Sequence, residues 1–293
     1  MKEKSLNNES TITHNPERKL GIVAGGGELP FKLISWCEKN ARPYFVLAIK
    51  GNAAENLCTG NIPHEEIRIG QAGTGFKRFK QEGVKEIVLI GTIKRPSFKE
   101  LVPDLKTAAF FAKIGSKALG DDGILRALIK EIEAEGMKVV GIQEVMPDIL
   151  VKIGTLTAKA PDKEDEIDIR RGVAVATSLG ALDVGQSVVV QQGLVLGVEG
   201  IEGTDKLITR CGEYKRQGKA PVLIKLRKPS QDLRVDLPTI GLKTVENAHA
   251  QGFKGIAVHA GNALIVNEPE VIALANKYKM FIKGINPAEY EEC

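Results

Sequence analysis

Leu20-Gly-Ile-Val-Ala-Gly-Gly-Gly-Glu-Leu-Pro30 is the stretch on which the fold turns. It opens with an unbroken run of apolar and small residues and then carries three glycines. A helical pattern follows to residue 40, with Leu29, Leu33, Trp36 and Cys37 on one face. A strand buried on both faces, a permissive turn and a helix make the first half of a βαβ unit. Working outward, 44–49 predicts a second strand, 66–69 a short third and 86–90 a fourth, with a helix at 75–81 between the last two. Apolar strands separated by helices call for a parallel sheet covered on both faces.

The rest of the chain changes texture. Residues 97–135 read as mostly helical, interrupted by Pro103 and by 115–123, and 137–142 returns as a strand. The polar run around Ala160-Pro-Asp-Lys-Glu-Asp-Glu166 marks a linker at 154–166. Beyond it a helix is expected at 167–182, and strands 187–191 and 194–199 form a hairpin around Gln192-Gly193. Helices at 205–217, 244–251 and 269–277 alternate with strands at 221–226 and 280–282. A second hairpin, 256–259 with 264–267, is expected around Gly261-Asn262. The fold class is therefore α/β: a polar disordered tail (1–17), a Rossmann-like parallel-sheet domain (18–153), the linker, and a C-terminal mixed α+β domain (167–293) expected to be catalytic.

Bulk properties bound the function. The chain has 293 residues, 43% hydrophobic and 27% charged, enough for two globular cores. A net charge of +4 favours an anionic ligand or a loose membrane-surface contact without demanding nucleic acid. Aromatic residues make up 5%, too few for base-stacking platforms, so no nucleic-acid partner is expected. Cys37, Cys58, Cys211 and Cys293 show no C-x-x-C spacing, which argues against structural zinc and suits a reducing cytoplasm. The first residues lack the apolar core of a signal peptide, and no run is long enough to span a bilayer. A lipidic substrate would be met from the side, by peripheral contact at most.

Four stretches carry candidate chemistry. Gly25, Gly26 and Gly27 lie between strand and helix, where backbone N–H groups and the helix dipole suit an anion; a plain permissive turn is the alternative. Pro30 and Lys50 depart from a dinucleotide fingerprint, which disfavours a nicotinamide oxidoreductase. In Gly120-Asp-Asp-Gly-Ile-Leu-Arg126, one acid caps a helix, and the second of Asp121 and Asp122 is available to a cation or a nucleotide hydroxyl. Glu199-Gly-Ile-Glu-Gly-Thr-Asp205 places three acids on one loop, suiting Mg²⁺. The fourth stretch runs from Lys225 to Gly241. There Arg227, Lys228 and Arg234 can hold phosphate oxygens, while Asp232 and Asp236 can hold a cation or orient water. The dull alternative is a surface loop with weak internal ion pairs. The four histidines show no metal-ligand spacing, so catalytic zinc is not expected.

Taken together, residues 20–30, 120–126, Val198-Glu-Gly-Ile-Glu-Gly-Thr-Asp205 and Asp232-Leu-Arg-Val-Asp-Leu-Pro-Thr-Ile-Gly241 resemble the LpxI family, UDP-2,3-diacylglucosamine pyrophosphatases of lipid A synthesis. The resemblance implies Mg²⁺-assisted cleavage of UDP-2,3-diacylglucosamine to UMP and 2,3-diacylglucosamine 1-phosphate (lipid X). It also implies two domains with the lipid between them and an essential aspartate in the 232–236 loop. The metal-ligand motifs of the calcineurin-like enzymes for this step are absent. On this reading Glu202, Asp205, Asp232 and Asp236 hold Mg²⁺, and Asp232, Asp236 and Arg234 are catalytic. Gly25–Gly27, Asp121, Asp122, Arg227, Lys228 and Thr239 contact substrate. Base rates favour a homodimer. The alternative from another class is a non-catalytic carrier of a nucleotide sugar or acyl lipid, which binds without releasing UMP.

Overall fold

The structure is a computed structural model that describes residues 17–93, 103–114, 121–229 and 231–290, with only the backbone of Ile114, Asp121 and Asp122. The polar tail to residue 16 and the stretches 94–102 and 115–120 lie outside the described residues. The chain divides into two compact units, 1–113 with 129–147, and 114–128 with 148–293.

The first unit is built on a five-stranded parallel sheet. Its strands are β1 (Leu20–Ala24), β2 (Tyr44–Ile49), β3 (His64–Ile67), β4 (Glu86–Ile90) and β5 (Lys138–Val139), in the order β3-β2-β1-β4-β5. Helices α1 (Leu29–Lys39) and α2 (Ala72–Gln81) connect the early strands. Pro30 sits in the first turn of α1, where its missing N–H has no intrahelical bond to lose. Leu33, Ile34 and Cys37 bury the inner face of that helix, and Phe76 and Phe79 do the same for α2. Helix α3 (Leu105–Ile114) follows, and α4 (Asp121–Ala134) is divided at residue 129, its first half grouping with the second unit and its second half with the first. Strand β3 lies two residues earlier than its apolar content predicts, because His64-Glu-Glu has no apolar residue to announce it. The strand expected at 137–142 shrinks to two residues and turns into the short helix α5 (Ile142–Val145).

The second unit carries a six-stranded mixed sheet of β6 (Gly154–Thr155), β7 (Ser187–Gln191), β8 (Leu194–Val198), β9 (Val222–Lys225), β11 (Gly255–His259) and β13 (Phe281–Ile285). The order is β6-β13-β11-β9-β7-β8, with β9, β11 and β13 parallel and β6, β7 and β8 antiparallel to their neighbours. Side chains alternate across β7: Val189 joins the core on one face, Val188 and Val190 the core on the other. Helix α6 (Lys163–Ala181) covers the latter face with Ile169, Val173 and Ala176. Helices α7 (Thr204–Glu213), α8 (Leu242–Ala250) and α9 (Glu268–Lys277) cover the former with Leu207, Ile208, Val245, Ala248, Val271 and Ala275.

Two expectations are corrected here. The hairpin around Gly261-Asn262 does not form. β11 is flanked on both sides by parallel partners, so it has no edge to offer. Residues beyond the turn instead make β12 (Leu264–Ile265), parallel to β10 (Thr239–Ile240). The polar run 154–166 is not a free connector. Gly154 and Thr155 pair with β13, and Asp162 caps α6 by accepting from the N–H groups of Glu164 and Asp165, both at 3.0 Å. Its charges serve a helix N-terminus, where acids are favoured, and composition alone cannot separate that from a solvated linker.

Candidate active site

In open α/β sheets the carboxyl ends of the parallel strands are where ligands commonly sit, at the point where strand order reverses. In the first unit that point lies between β1 and β4, and it holds Gly25 and Gly26. Backbone hydrogen bonds zip it shut. Gly25 N–H donates to Ile90 O at 2.8 Å, Gly26 N–H to Thr92 O at 2.8 Å, and Thr92 N–H returns to Gly26 O at 2.9 Å. A Cβ on Gly25 would lie 2.6 Å from Thr92 O. For Gly25 and Gly26 the expected amide cradle is thus replaced by a close backbone approach. Gly27 is exposed with φ at +91°.

The second unit sets several of its buried polar groups at the corresponding edge, while Asp165, Asp168 and Gln191 are buried at the other. Lys225 ends β9, Ser187 starts the antiparallel β7 beside it, Glu199 follows β8, and His259 ends β11. Glu199 and Lys225 are only 6% and 7% exposed. The Glu199 carboxylate accepts from the Thr204 hydroxyl at 2.8 Å and from Gln186 N–H at 3.3 Å. Gln231, also buried, donates its amide to Asp236 Oδ2 at 2.6 Å and to Gln186 Oε1 at 3.2 Å. Its own carbonyl accepts from Lys228 N–H at 2.9 Å. The loop after β9 is therefore stitched to the loop before β7.

The predicted charged residues fall into this frame unequally. Arg234 grips Asp232 with Nε on Oδ1 at 2.9 Å and a terminal nitrogen on Oδ2 at 2.7 Å. That fork, opposed by burial and helped by Arg126, holds the Asp232 carboxyl below the usual carboxylate range. Glu202 accepts from its own loop backbone and from Arg210 at 2.6 Å, and its pKa is lowered accordingly. Asp205 accepts from Asn247 at 3.1 Å and Lys243 at 2.7 Å. Lys228 reaches Asp183 at 2.6 Å. Arg227 keeps Nε buried with no hydrogen-bond partner among the described residues, while its backbone N–H donates to His259 Nδ1 at 3.4 Å. Burial, reinforced by the Arg227 guanidinium, pushes the His259 pKa down to about 4. That imidazole is neutral at physiological pH. A hollow of about 570 Å³ opens at the ends of β11 and β13, lined by His259, Gly261, Asn262, Asn286, Glu289 and Lys152 among others. Asp121 and Asp122 open α4, but their side chains lie outside the described residues.

The four acids expected to cage Mg²⁺ do not converge. Among the described residues no three His, Cys, Asp or Glu side chains gather as a group able to hold a metal ion. Glu202, Asp205 and Asp232 are each engaged by a cationic side chain of their own. This donor set does not fit a preassembled magnesium site. What the edge does carry is a cationic rim, with Arg227 and Lys225 held among hydroxyls, amides and the neutral His259. Lys225 and Gln231 lie inside the fourth candidate stretch but have no role in the sequence reading, and Gln186 and Ser187 lie outside all four stretches. No residue-type signal marks them, since burial at a strand end is what singles them out.

Comparison with known proteins agrees with this architecture. The LpxI N-terminal domain family matches residues 19–149, and the LpxI C-terminal domain family matches residues 152–283. A relative from Caulobacter vibrioides, the UDP-2,3-diacylglucosamine pyrophosphatase LpxI, is 38% identical over 279 residues, covering 93% of this chain and 99% of the relative. The boundary between the two matches falls beside the division at residue 147 that packing alone draws. The chain belongs to the LpxI family.

Proposed function

We propose that this protein hydrolyses the pyrophosphate of UDP-2,3-diacylglucosamine, releasing UMP and 2,3-diacylglucosamine 1-phosphate. The single observation that carries the reading is the 38% identity to the Caulobacter pyrophosphatase along almost the whole of both chains. The rim of the second sheet supports it physically. Water adds to one phosphorus, the bridging oxygen leaves with the other, and the negative charge that builds needs fixed cations nearby. Arg227, whose buried Nε–H has no hydrogen-bond partner among the described residues, and the buried Lys225 are the cations we assign to this role. Asp236, oriented by the Gln231 amide, and Asp232, oriented by Arg234, are the carboxylates we assign to positioning the attacking water. Thr239 and Lys228 flank the same loop and complete the contact to substrate.

We also propose a Mg²⁺ requirement. The residues present do not form a cage, so the ion is expected to arrive with the diphosphate, a mode in which substrate oxygens and water provide most ligands. No step assigned above to a protein side chain passes through it. No helix of the described residues is long and apolar enough to cross a membrane, so contact with a bilayer-borne substrate is proposed to be peripheral.

The test is direct. Purified protein is incubated with UDP-2,3-diacylglucosamine and Mg²⁺, with and without EDTA, and UMP is quantified. EDTA-sensitive UMP release is expected, with at least one of Asp232→Asn and Asp236→Asn losing about 100-fold or more in kcat while remaining folded. Tight binding without UMP release would return the carrier reading, and full activity in both variants would remove this loop from the chemistry.

A further inference from the structure

Lys225 has no role assigned by the chemistry above beyond its charge, yet its surroundings are specific. Its Nζ donates to Thr204 Oγ1 at 3.0 Å and to the Thr239 carbonyl at 3.0 Å. A lysine ammonium can only donate, so Thr204 must accept from it and send its one hydroxyl proton onward. That proton goes to Glu199 Oε1 at 2.8 Å. The result is a buried chain of fixed direction: ammonium, hydroxyl, carboxylate. Among the described residues the close partners of Nζ are the Thr204 hydroxyl and the Thr239 carbonyl, and no ion pair joins it directly to a carboxylate. Glu199, Asp205 and Asp236 act on it from farther out, opposing the burial that pulls its pKa down.

Separating a buried cation from its counter-ion by a hydroxyl is a poor way to gain stability, because desolvation is incurred in full and attraction recovered in part. What the arrangement does provide is position. Thr204 is the first residue of α7, which carries Asp205. Thr239 ends the loop that carries Asp232, Arg234 and Asp236 and begins β10. One ammonium at the end of β9 therefore ties both acid-bearing segments to the same strand end. We propose that Lys225 is a positioning residue of the reaction: through the Thr204 hydroxyl and the Thr239 carbonyl it holds the start of α7 and the 231–239 loop in the arrangement that cleaves the diphosphate. The proposal rests on the hydrolase reading given above for its kinetic consequence, though not for its structural one.

The experiment has two arms. In the first, amide hydrogen exchange is followed in the full chain without substrate, for wild type, Lys225→Met and Thr204→Val. Exchange across 231–239 is expected to accelerate about tenfold in both variants relative to wild type, the size of change one lost tether produces, while β11 amides stay protected. In the second, kcat and KM are measured for the same proteins and for Thr204→Ser. Lys225→Met and Thr204→Val should lose about 100-fold in kcat with KM close to wild type, the size of effect a small misplacement produces. Thr204→Ser, which keeps the hydroxyl, should recover both kcat and loop protection. Thr204→Val is nearly isosteric, so it keeps the test decisive should Lys225→Met fold poorly. A folded Thr204→Val with wild-type kcat, a loop with unchanged exchange, or a Thr204→Ser as impaired as Thr204→Val would overturn the proposal. Accelerated loop exchange in a protein that releases no UMP even as wild type would leave the tether standing and sink the hydrolase reading alone.

Discussion

Each sheet has a lysine at the carboxyl end of one of its strands, and the two are treated in opposite ways. Lys50 directly follows β2 in the first unit; its side chain is 55% exposed and meets the similarly exposed Glu66 at 3.0 Å. Lys225 ends β9 in the second unit at 7% exposure, among neutral oxygens. The same contrast runs along both edges. The first unit closes its strand-order reversal with backbone bonds between Gly25–Gly26 and Ile90–Thr92. It keeps its buried ion pair at the opposite, amino end, where Arg42 meets Glu86 at 2.7 Å with side chains 1% and 0% exposed. The second unit leaves its edge lined with buried Glu199, Lys225 and Gln231. The second sheet also buries charge at its amino edge, where Asp165 meets Lys254 at 2.7 Å and Asp168 accepts from the N–H groups of Gln192 and Gly193. What sets it apart from the first is the additional buried charge at the edge where a ligand is expected.

The strongest test of that difference is Arg42→Met. Leaving Glu86 buried without its close partner should cost about 3–5 kcal/mol in urea denaturation. The turnover of the molecules that remain folded should match wild type, and a lowered kcat would break the contrast. Next comes Gly25→Ala. Its Cβ would press on Thr92 O, and overpacking of this kind costs about 1–3 kcal/mol. KM should not change if the zipped turn serves packing; a raised KM in the folded variant would return an anion site to the first unit. A subtler effect concerns acid. The pKa of His259 is lowered from 6.5 to about 4, so the unfolded chain takes up this proton first. The stability tied to the neutral ring is complete above pH 6.5 and is lost as pH falls toward 4. His259→Gln should flatten that part of the stability–pH curve, measured by urea midpoints; an unchanged slope would place the acid response elsewhere. The smallest effect is expected from Lys50→Ala. An exposed pair contributes about 0–1 kcal/mol, and neither melting temperature nor kcat should move noticeably.

Where periodicity and burial coincide, the sequence was legible. The runs of β1, β2 and β4 announce themselves residue for residue, because a strand covered on both faces is apolar along most of its length; Glu86 at the start of β4 is an exception, buried against Arg42. β3 was misplaced because an edge strand tolerates His64-Glu-Glu. The false hairpin at Gly261-Asn262 shows a turn signal that is local and correct joined to a pairing that is not: Gly261 has φ at +67°, but β11 already had two partners. In the site, Arg227, Asp232, Arg234 and Asp236 were visible as charges on one loop. Their partners were not. The Asp232–Arg234 fork is a geometric fact, and Gln231 and Lys225 matter because they are buried, which no single residue type declares. The magnesium cage failed for the same reason: counting acids along the chain says nothing of the Arg210, Lys243 and Arg234 that each had claimed.

The outer strands of the second sheet bear on how copies of the chain can meet. β6 is two residues long, and at the other side β8 meets β7 with a register shift between Val189 and Val190. A stub and a kinked ribbon give a passing strand little to zip onto, which is how natural sheets resist growing end on end. Copies of the chain should therefore not join through this sheet, which stays six strands wide.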